Sequence, residues 1–183
     1  TDELMKSTIP LLLLAASTVF PALSRAESPL LSSTYTFLAK DCRWAFNETD
    51  LEEGQDNARI CRGPAPYELF IDFSAEAAFL SARRSDRPND TVFGDPVGGI
   101  DEEKGALEWR LAGGVPFALI VRTKRRTTLD DGREWTSERL AVRGLGDYSE
   151  ITGDVDVHKT PHANAAARTL ADRQWRVHRA DER

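Results

Sequence analysis

Apolar and polar residues alternate through the middle of the chain. Residues 107–111 alternate leucine or tryptophan with charged side chains, and a turn with two glycines follows at 112–114. Residues 115–126 place apolar side chains on one face, and the DDG sequence at 130–132 precedes a further alternating stretch at 135–143. Period-two alternation joined by short turns predicts an antiparallel three-stranded meander.

Further strands are predicted on both sides of this meander. Residues 67–73 alternate in the same way, and residues 75–82 continue as an antiparallel strand after a turn near Ser74, or begin a helical turn. Residues 83–103 are rich in Asp, Pro and Gly, which predicts a long surface loop. Residues 151–157 are the last expected strand.

The periodicity changes to that of a helix near the C-terminus. Thr160 is the expected N-cap and Pro161 the expected first helical residue. Arg168, Asp172 and Arg176 are expected to face outward. The inward stripe consists of Ala163, Ala166, Ala167, Leu170, Ala171, Gln174 and Trp175. The predicted fold class is therefore α+β, a single domain with one twisted antiparallel sheet and a C-terminal helix packed on one of its faces.

The N-terminal segment has the three parts of a secretory signal peptide. Lys6 directly follows Met5, residues 9–23 are uncharged and mostly apolar, and residues 24–26 (SRA) form a small-x-small cleavage site. The apolar run is shorter than the roughly 20 residues of a membrane-spanning helix, although a membrane anchor is the alternative. We treat Thr1 to Leu4 as residues ahead of the natural start and expect an exported protein.

The 183 residues suit one domain after removal of that segment. We expect residues 1–26 to be removed, residues 27–33 to be a flexible lead-in, residues 34–178 to form the domain, and residues 179–183 to be a frayed tail.

The chain contains two cysteines, Cys42 and Cys61. An even number in an exported protein predicts a disulfide, because the destination is oxidising. Two free thiols are the alternative.

Several of these stretches resemble a family of small secreted or periplasmic bacterial proteins. The resemblance is carried by residues 105–122 (GALEWRLAGGVPFALIVR), residues 161–172 (PHANAAARTLAD) and the run from Cys42 through Cys61-Arg62-Gly63 to Tyr67. It implies export and a single-domain fold, and it implies no catalytic role, since no activity is assigned to the family. The family's additional cysteine pair is missing from this chain.

Charge narrows the classes of partner. The formal net charge of −6 disfavours a nucleic-acid binder, because affinity for phosphate backbones comes mainly from Lys and Arg. Locally, Arg122, Lys124 and Arg126 alternate along one predicted strand and therefore share a face, to which Arg125 and Arg143 are possible additions. This basic strip is the candidate surface for an anionic partner; the alternative is the solvent face of a strand.

A second candidate site combines histidines and carboxylates. Asp156, His158 and His162, preceded by Asp154, are residue types that bind zinc or another divalent metal. Pro161 interrupts the spacing between the histidines, so polar residues at a strand-to-helix junction are the alternative.

These patterns favour a soluble binding or interaction module of the bacterial envelope, without catalysis or cofactor. Its expected partner is an envelope protein, an envelope polymer or another anionic ligand, with no nucleic acid and no permanent membrane span. A metal-dependent hydrolase that uses the Asp/His cluster and a structural spacer without ligand are the alternatives.

Overall fold

A computed structural model describes residues 29–47, 58–73, 78–100, 105–128 and 130–181; within these ranges the side chains of residues 73, 88–98 and 126 are not described. The predicted signal peptide and cleavage site therefore lie outside the described residues. In chain order the elements are β1 (Leu31–Phe37), α1 (Leu38–Asp41), β2 (Cys42–Trp44), β3 (Ala58–Arg62), β4 (Tyr67–Phe73), β5 (Ala78–Arg84), β6 (Arg87–Gly98), β7 (Ala106–Ala112), β8 (Val115–Thr128), β9 (Glu134–Gly144), β10 (Thr152–Asp156) and α2 (Ala163–Asp181).

The strands form two antiparallel sheets. The first sheet has the order β1-β7-β8-β9-β10, and the second has the order β2-β3-β4-β5-β6. The helix α2 follows the last strand, so the α+β class is confirmed. The expectation of one sheet is wrong, because the chain leaves β1 through α1 and builds a second sheet before it returns to the first at β7.

The first sheet is covered on both faces. Leu107 and Trp109 of β7 belong to the core shared with the second sheet, together with Leu69 and Ile71 of β4. Side chains on the opposite face of the first sheet, such as Ile120, pack toward α2. All five residues from 107 to 111 are consequently buried, although their sequence alternates between apolar and charged.

Trp109 organises the core between the two sheets. Its side chain is fully buried, and its indole Nε1–H donates to the Thr36 hydroxyl at 2.9 Å. Thr36 in turn donates to the backbone carbonyl of Arg62 at 2.7 Å, and the Tyr67 ring lies 5.9 Å from the Trp109 ring. The polar atoms of this buried group are thus paired, as burial requires.

The helix α2 packs through an alanine stripe. Ala163, Ala167, Ala171 and Trp175 are buried, at the four-residue spacing that places side chains on one face of a helix. The Trp175 ring lies 5.7 Å from the ring of Phe117 on β8. Small alanine side chains let the helix approach the first sheet closely, and Trp175 extends this buried stripe toward the C-terminal part of the helix.

The expected start of this helix is wrong by a few residues. The Thr160 amide donates to the Asp156 carbonyl at 3.0 Å, so Thr160 belongs to the turn after β10 and is not the N-cap. Pro161 precedes the helix as well. His162 has a positive φ of 53°, and its carbonyl accepts the first helical hydrogen bond, from Ala166. The turn reverses the chain before α2 begins, which the Thr-Pro signal does not reveal.

The predicted loop over residues 83–103 is also wrong for most of its length. Arg83 and Arg84 end β5, and β6 occupies Arg87–Gly98. β6 is the last strand of its sheet, and among the described strands its ladder partner is β5, with register shifts at three points. An edge strand with bulges accommodates prolines, because one side of it needs no ladder hydrogen bonds.

Secondary structure reaches into both of the predicted end segments, the lead-in at 27–33 and the tail at 179–183. β1 begins at Leu31, within the predicted lead-in, and pairs with Ala112 of β7. α2 extends to Asp181, within the predicted tail. Near its end, His178 contacts Glu150 and packs edge-on against the ring of Tyr148 at 5.0 Å. Contacts with distant parts of the chain thus hold these two end segments against the fold, although the local sequence of each segment does not predict its secondary structure.

Cys42 and Cys61 form a disulfide, as predicted. The two residues lie directly opposite each other on β2 and β3. Cys61 is fully buried in the core between the sheets, so the bond anchors the edge strand β2 to that core.

Candidate anion-binding cleft

The basic strip lies on the side of the first sheet that carries α2. Alternation along β8 places Arg122 and Lys124 on the same face as Ile120, with Arg122 half-buried and Lys124 exposed. Arg126 lies two residues further along the same strand, and its side chain is outside the described part of the structure. Arg125 is exposed, and strand alternation places it on the opposite face.

Arg122 and Lys124 line a cleft of about 360 Å³ between the first sheet and the start of α2. Ile120 and Leu140 provide apolar surface in this cleft. The polar side chains that line it are Tyr35, Glu108, Arg122, Lys124, Asn164 and Arg168. Residues of β1, of β7 and the residue before it, of β8, of β9 and of α2 thus meet at one concave surface, which is the usual shape of a ligand site.

Glu108 lies in this cleft and is almost fully buried by its partners. Its carboxylate accepts from Arg168 Nε at 2.6 Å and from Arg168 Nη2 at 3.2 Å, and it also accepts from the Ser33 hydroxyl. Arg168 Nη2 donates in addition to the Tyr35 hydroxyl at 3.0 Å. The hydrogen bonds to Glu108 raise the pKa of Arg168, so this guanidinium stays charged and oriented.

Arg122 is oriented by a second set of contacts. Its Nη1 donates to Glu138 Oε1 at 3.0 Å, and its Nη2 donates to the side-chain oxygen of Asn164 at 3.3 Å. Asn164 lies in the first turn of α2, where the positive end of the helix dipole adds to the positive potential. The contact to α2 therefore holds the Arg122 guanidinium at the cleft.

The charge of the cleft is positive. Three cations, Arg122, Lys124 and Arg168, line it, against the carboxylates of Glu108 in its described lining and of Glu138, which pairs with Arg122. Guanidinium and ammonium groups next to apolar surface favour an anionic ligand, because partial burial strengthens their Coulomb attraction. The arrangement suits binding of a carboxylate, phosphate or sulfate group.

Arg168 and Asp172 face the sheet, which contradicts the prediction that they point outward. Arg168 contacts Glu108 of β7. Asp172 accepts a hydrogen bond at 2.8 Å from Arg110, which also lies on β7. A signal for this arrangement is present in the sequence. Glu108 and Arg110 lie on one face of a strand, and residues 168 and 172 lie on one face of a helix. The acid-base order along the strand matches the base-acid order along the helix, so two ion pairs can form.

The structure does not group the Asp/His residues as metal ligands. Asp156 Oδ1 accepts from the backbone amides of His158 and Lys159 at 2.9 and 3.0 Å. Asp154 contacts Arg143 at 3.1 Å, and His162 lies at the turn into α2. In the part of the chain that the structure covers, no group of three or more His, Cys, Asp or Glu side chains is arranged to hold a metal ion. The carboxylates instead stabilise the strand-to-helix junction.

Burial opposes ionisation of the Asp156 carboxyl, but hydrogen bonds from the backbone N–H groups of Lys159 and His158 have the larger effect, so the pKa of Asp156 lies below its ordinary value.

Arg143, the expected addition to the basic strip, is directed to Asp154 and to the backbone carbonyl of Gly153. It therefore belongs to this junction and not to the cleft.

Comparison with family models, with curated proteins and with solved structures finds no match. Among the helices of the described ranges, none has the length and apolar character to cross a bilayer.

Proposed function

We propose that the protein is a binding module without catalytic activity, and that it holds an anionic group of its partner in the cleft between β8 and α2. The observation that carries this proposal is the convergence of Arg122, Lys124 and Arg168 on one cleft with an apolar floor. Two of these cations come from the strand and one from the helix, so the fold itself assembles them.

The state of Glu108 supports binding over proton transfer. A general base needs a lone pair directed at substrate, but both oxygens of Glu108 already accept from Arg168, and Oε1 also accepts from Ser33. The carboxylate thus acts as an acceptor that positions Arg168. This arrangement favours a rigid recognition surface.

We also propose that the module works outside the cytoplasm, in the bacterial envelope, where its partner is an envelope protein, a polymer or another anionic ligand. The Cys42–Cys61 disulfide supports this location, since disulfides persist in oxidising compartments. The resemblance to small exported bacterial proteins stays a prediction. Mass spectrometry of the protein recovered from its native compartment checks it: we expect cleavage after Ala26, and an uncleaved chain found in the cytoplasm contradicts export.

The cleft is tested by titration at low ionic strength with acetate, inorganic phosphate, sulfate and glucuronate. The readout is the shift of backbone amide resonances of residues that line the cleft. We expect at least one anion to move these resonances. The same anion should bind about tenfold more weakly to Arg122→Gln and to Lys124→Ala, because each substitution removes one positive charge from the cleft.

Arg125→Ala is the matched control, since Arg125 is the exposed neighbour of Lys124 on the opposite face of β8. We expect it to bind as the unaltered protein does. The proposal is overturned if no anion of the panel moves the cleft resonances, or if Arg125→Ala weakens binding as much as Lys124→Ala. The first of these results favours a spacer without ligand.

A further inference from the structure

One aromatic side chain lines the cleft, and a second lies beside it, outside the lining. Tyr35 lines it and is 42% exposed, and Phe37, two residues along β1, is 47% exposed. Their ring centroids are 6.2 Å apart with an interplanar angle of 29°. Across β7, Tyr35 lies opposite Glu108 and Phe37 lies opposite Ala106, which also lines the cleft. Together Tyr35 and Phe37 form what we call the aromatic wall.

The aromatic wall offers partly exposed apolar ring surface next to charged groups. The hydroxyl of Tyr35 is held by Arg168 at 3.0 Å, which restrains the ring at the cleft. The face of an aromatic ring is electronegative and attracts polarised C–H groups, such as those along one side of a pyranose ring. A small inorganic anion makes no use of such a surface.

The cleft also contains hydrogen-bonding groups beyond its cations. The Asn164 side-chain amide carries two N–H donors beside the oxygen that accepts from Arg122, and that oxygen has a second lone pair. Acceptors beside donors suit hydroxyl groups, which do both. A ligand that satisfies these groups and the cations therefore combines hydroxyls with an anionic group.

We propose that the ligand is a carboxylated sugar, either a free uronic acid or a uronic acid residue of a polysaccharide. This inference rests on the proposed function. The sugar ring packs on the aromatic wall, its hydroxyls reach the Asn164 amide, and its carboxylate pairs with Arg122 and Lys124. The cleft volume of about 360 Å³ admits one such sugar ring with room for a linkage to the next.

The test compares glucuronate with glucose, acetate, inorganic phosphate and a nucleoside monophosphate by calorimetry at low ionic strength. We expect glucuronate to bind about tenfold more tightly than any of the other four, since glucose lacks the charge, acetate and phosphate lack the ring and hydroxyls, and the nucleotide presents an aromatic base in place of a pyranose. Galacturonate and its tetramer are compared to distinguish the two sources: tighter binding of the tetramer than of the galacturonate monomer supports a polysaccharide, and equal binding supports a free uronic acid.

Variants separate the wall from the cations. Tyr35→Ala and Phe37→Ala are expected to weaken glucuronate binding about tenfold and to weaken acetate binding much less, because acetate has no ring to pack on the wall. Trp135→Ala is the aromatic control, because Trp135 is exposed but does not line the cleft. Circular dichroism verifies that each variant is folded.

The outcomes distinguish the two proposals. If acetate or phosphate binds as tightly as glucuronate, or if the Tyr35 and Phe37 variants bind glucuronate normally, the sugar is refuted and the anion-binding function stands. Tighter binding of the nucleotide also refutes the sugar. If no anion binds, both proposals fail.

Discussion

Arg110 on β7 and Asp172 on α2 form a forked ion pair between the first sheet and the helix. Arg110 Nε and Nη2 donate to Asp172 Oδ1 at 3.0 and 2.8 Å, and Nη2 also donates to Oδ2 at 2.8 Å. The two side chains are only 7% and 16% exposed. One turn earlier on the helix, Arg168 contacts Glu108, so two oppositely oriented pairs secure α2 beside the cleft.

Replacing Asp172 by Asn is expected to lower the free energy of unfolding by about 3 kcal/mol, because the buried Arg110 charge loses its counter-charge. Urea denaturation measures the change. Asp181→Asn, at an exposed position of the same helix, is the control and is expected to change stability by less than about 0.5 kcal/mol. The double variant Arg110→Met/Asp172→Leu should recover most of the loss. Equal small effects of Asp172→Asn and Asp181→Asn contradict a structural role of the pair.

Gly144→Ala is expected to destabilise the protein by about 3 kcal/mol or more, because the added Cβ overlaps the backbone carbonyl oxygen of Tyr148. Gly132→Ala provides the comparison. Gly132 has a positive φ of 81° with nothing within 4 Å of a Cβ, so only conformational strain of about 1 kcal/mol is expected there. Urea midpoints of both variants decide the point, and a Gly144 variant no less stable than the Gly132 variant disproves the overlap.

Reduction of the Cys42–Cys61 disulfide is expected to lower the free energy of unfolding by about 3 kcal/mol, because the bond closes a loop with a sequence separation of 19. The measurement is urea denaturation with and without a thiol reductant. A Cys42→Ser/Cys61→Ser variant controls for the reductant, which should not alter its stability. Coincident curves for the oxidised and reduced protein refute the expectation.

Asp156 should contribute to the acid sensitivity of the fold. Burial raises the pKa of this carboxyl, but hydrogen bonds from the backbone amides of Lys159 and His158 lower it by more. The folded-state pKa therefore lies below the ordinary value of 3.8. The ionised carboxylate therefore stabilises the fold above pH 3.8, and this contribution is lost as the pH falls through the lower folded-state value.

Asp156→Asn keeps an oxygen acceptor for the two amides but does not titrate. Melting temperatures of both proteins, measured from about pH 6 to about pH 2, should show the unaltered protein losing stability relative to the variant below about pH 4. A constant difference across this range contradicts the assignment. His158→Ala is a useful companion, since its backbone amide still donates to Asp156.

Much of the fold could be predicted because its signals are local. The alternation at residues 107–111 and 115–121 locates β7 and β8, and the stripe from Ala163 to Trp175 locates the buried face of α2. The edge strand β6 was missed because Pro, Gly and Asp are the same residues that mark loops. Whether they lie in a strand depends on β5, which supplies the pairing partner.

The candidate site could be predicted only in part. Arg122 and Lys124 share a face because strand geometry repeats every two residues, and this holds without any knowledge of the rest of the chain. Arg168 and Asp172 were expected in solvent, since charged residues are usually exposed. Their burial depends on Glu108 and Arg110, which lie about 60 residues away in sequence.

The sequence alone therefore determined the periodicity of the main elements, the pairing of its two cysteines and the basic face of β8. The periodicity and the basic face follow from residues close together along the chain. The cysteine pairing follows because the chain has two cysteines and each is the other's available partner. Only the tertiary structure decided that there are two sheets and that charges of β7, β8 and α2 meet at one cleft. Such contacts depend on how sheets and helix pack against one another, and the free energy of that packing is a property of the whole chain.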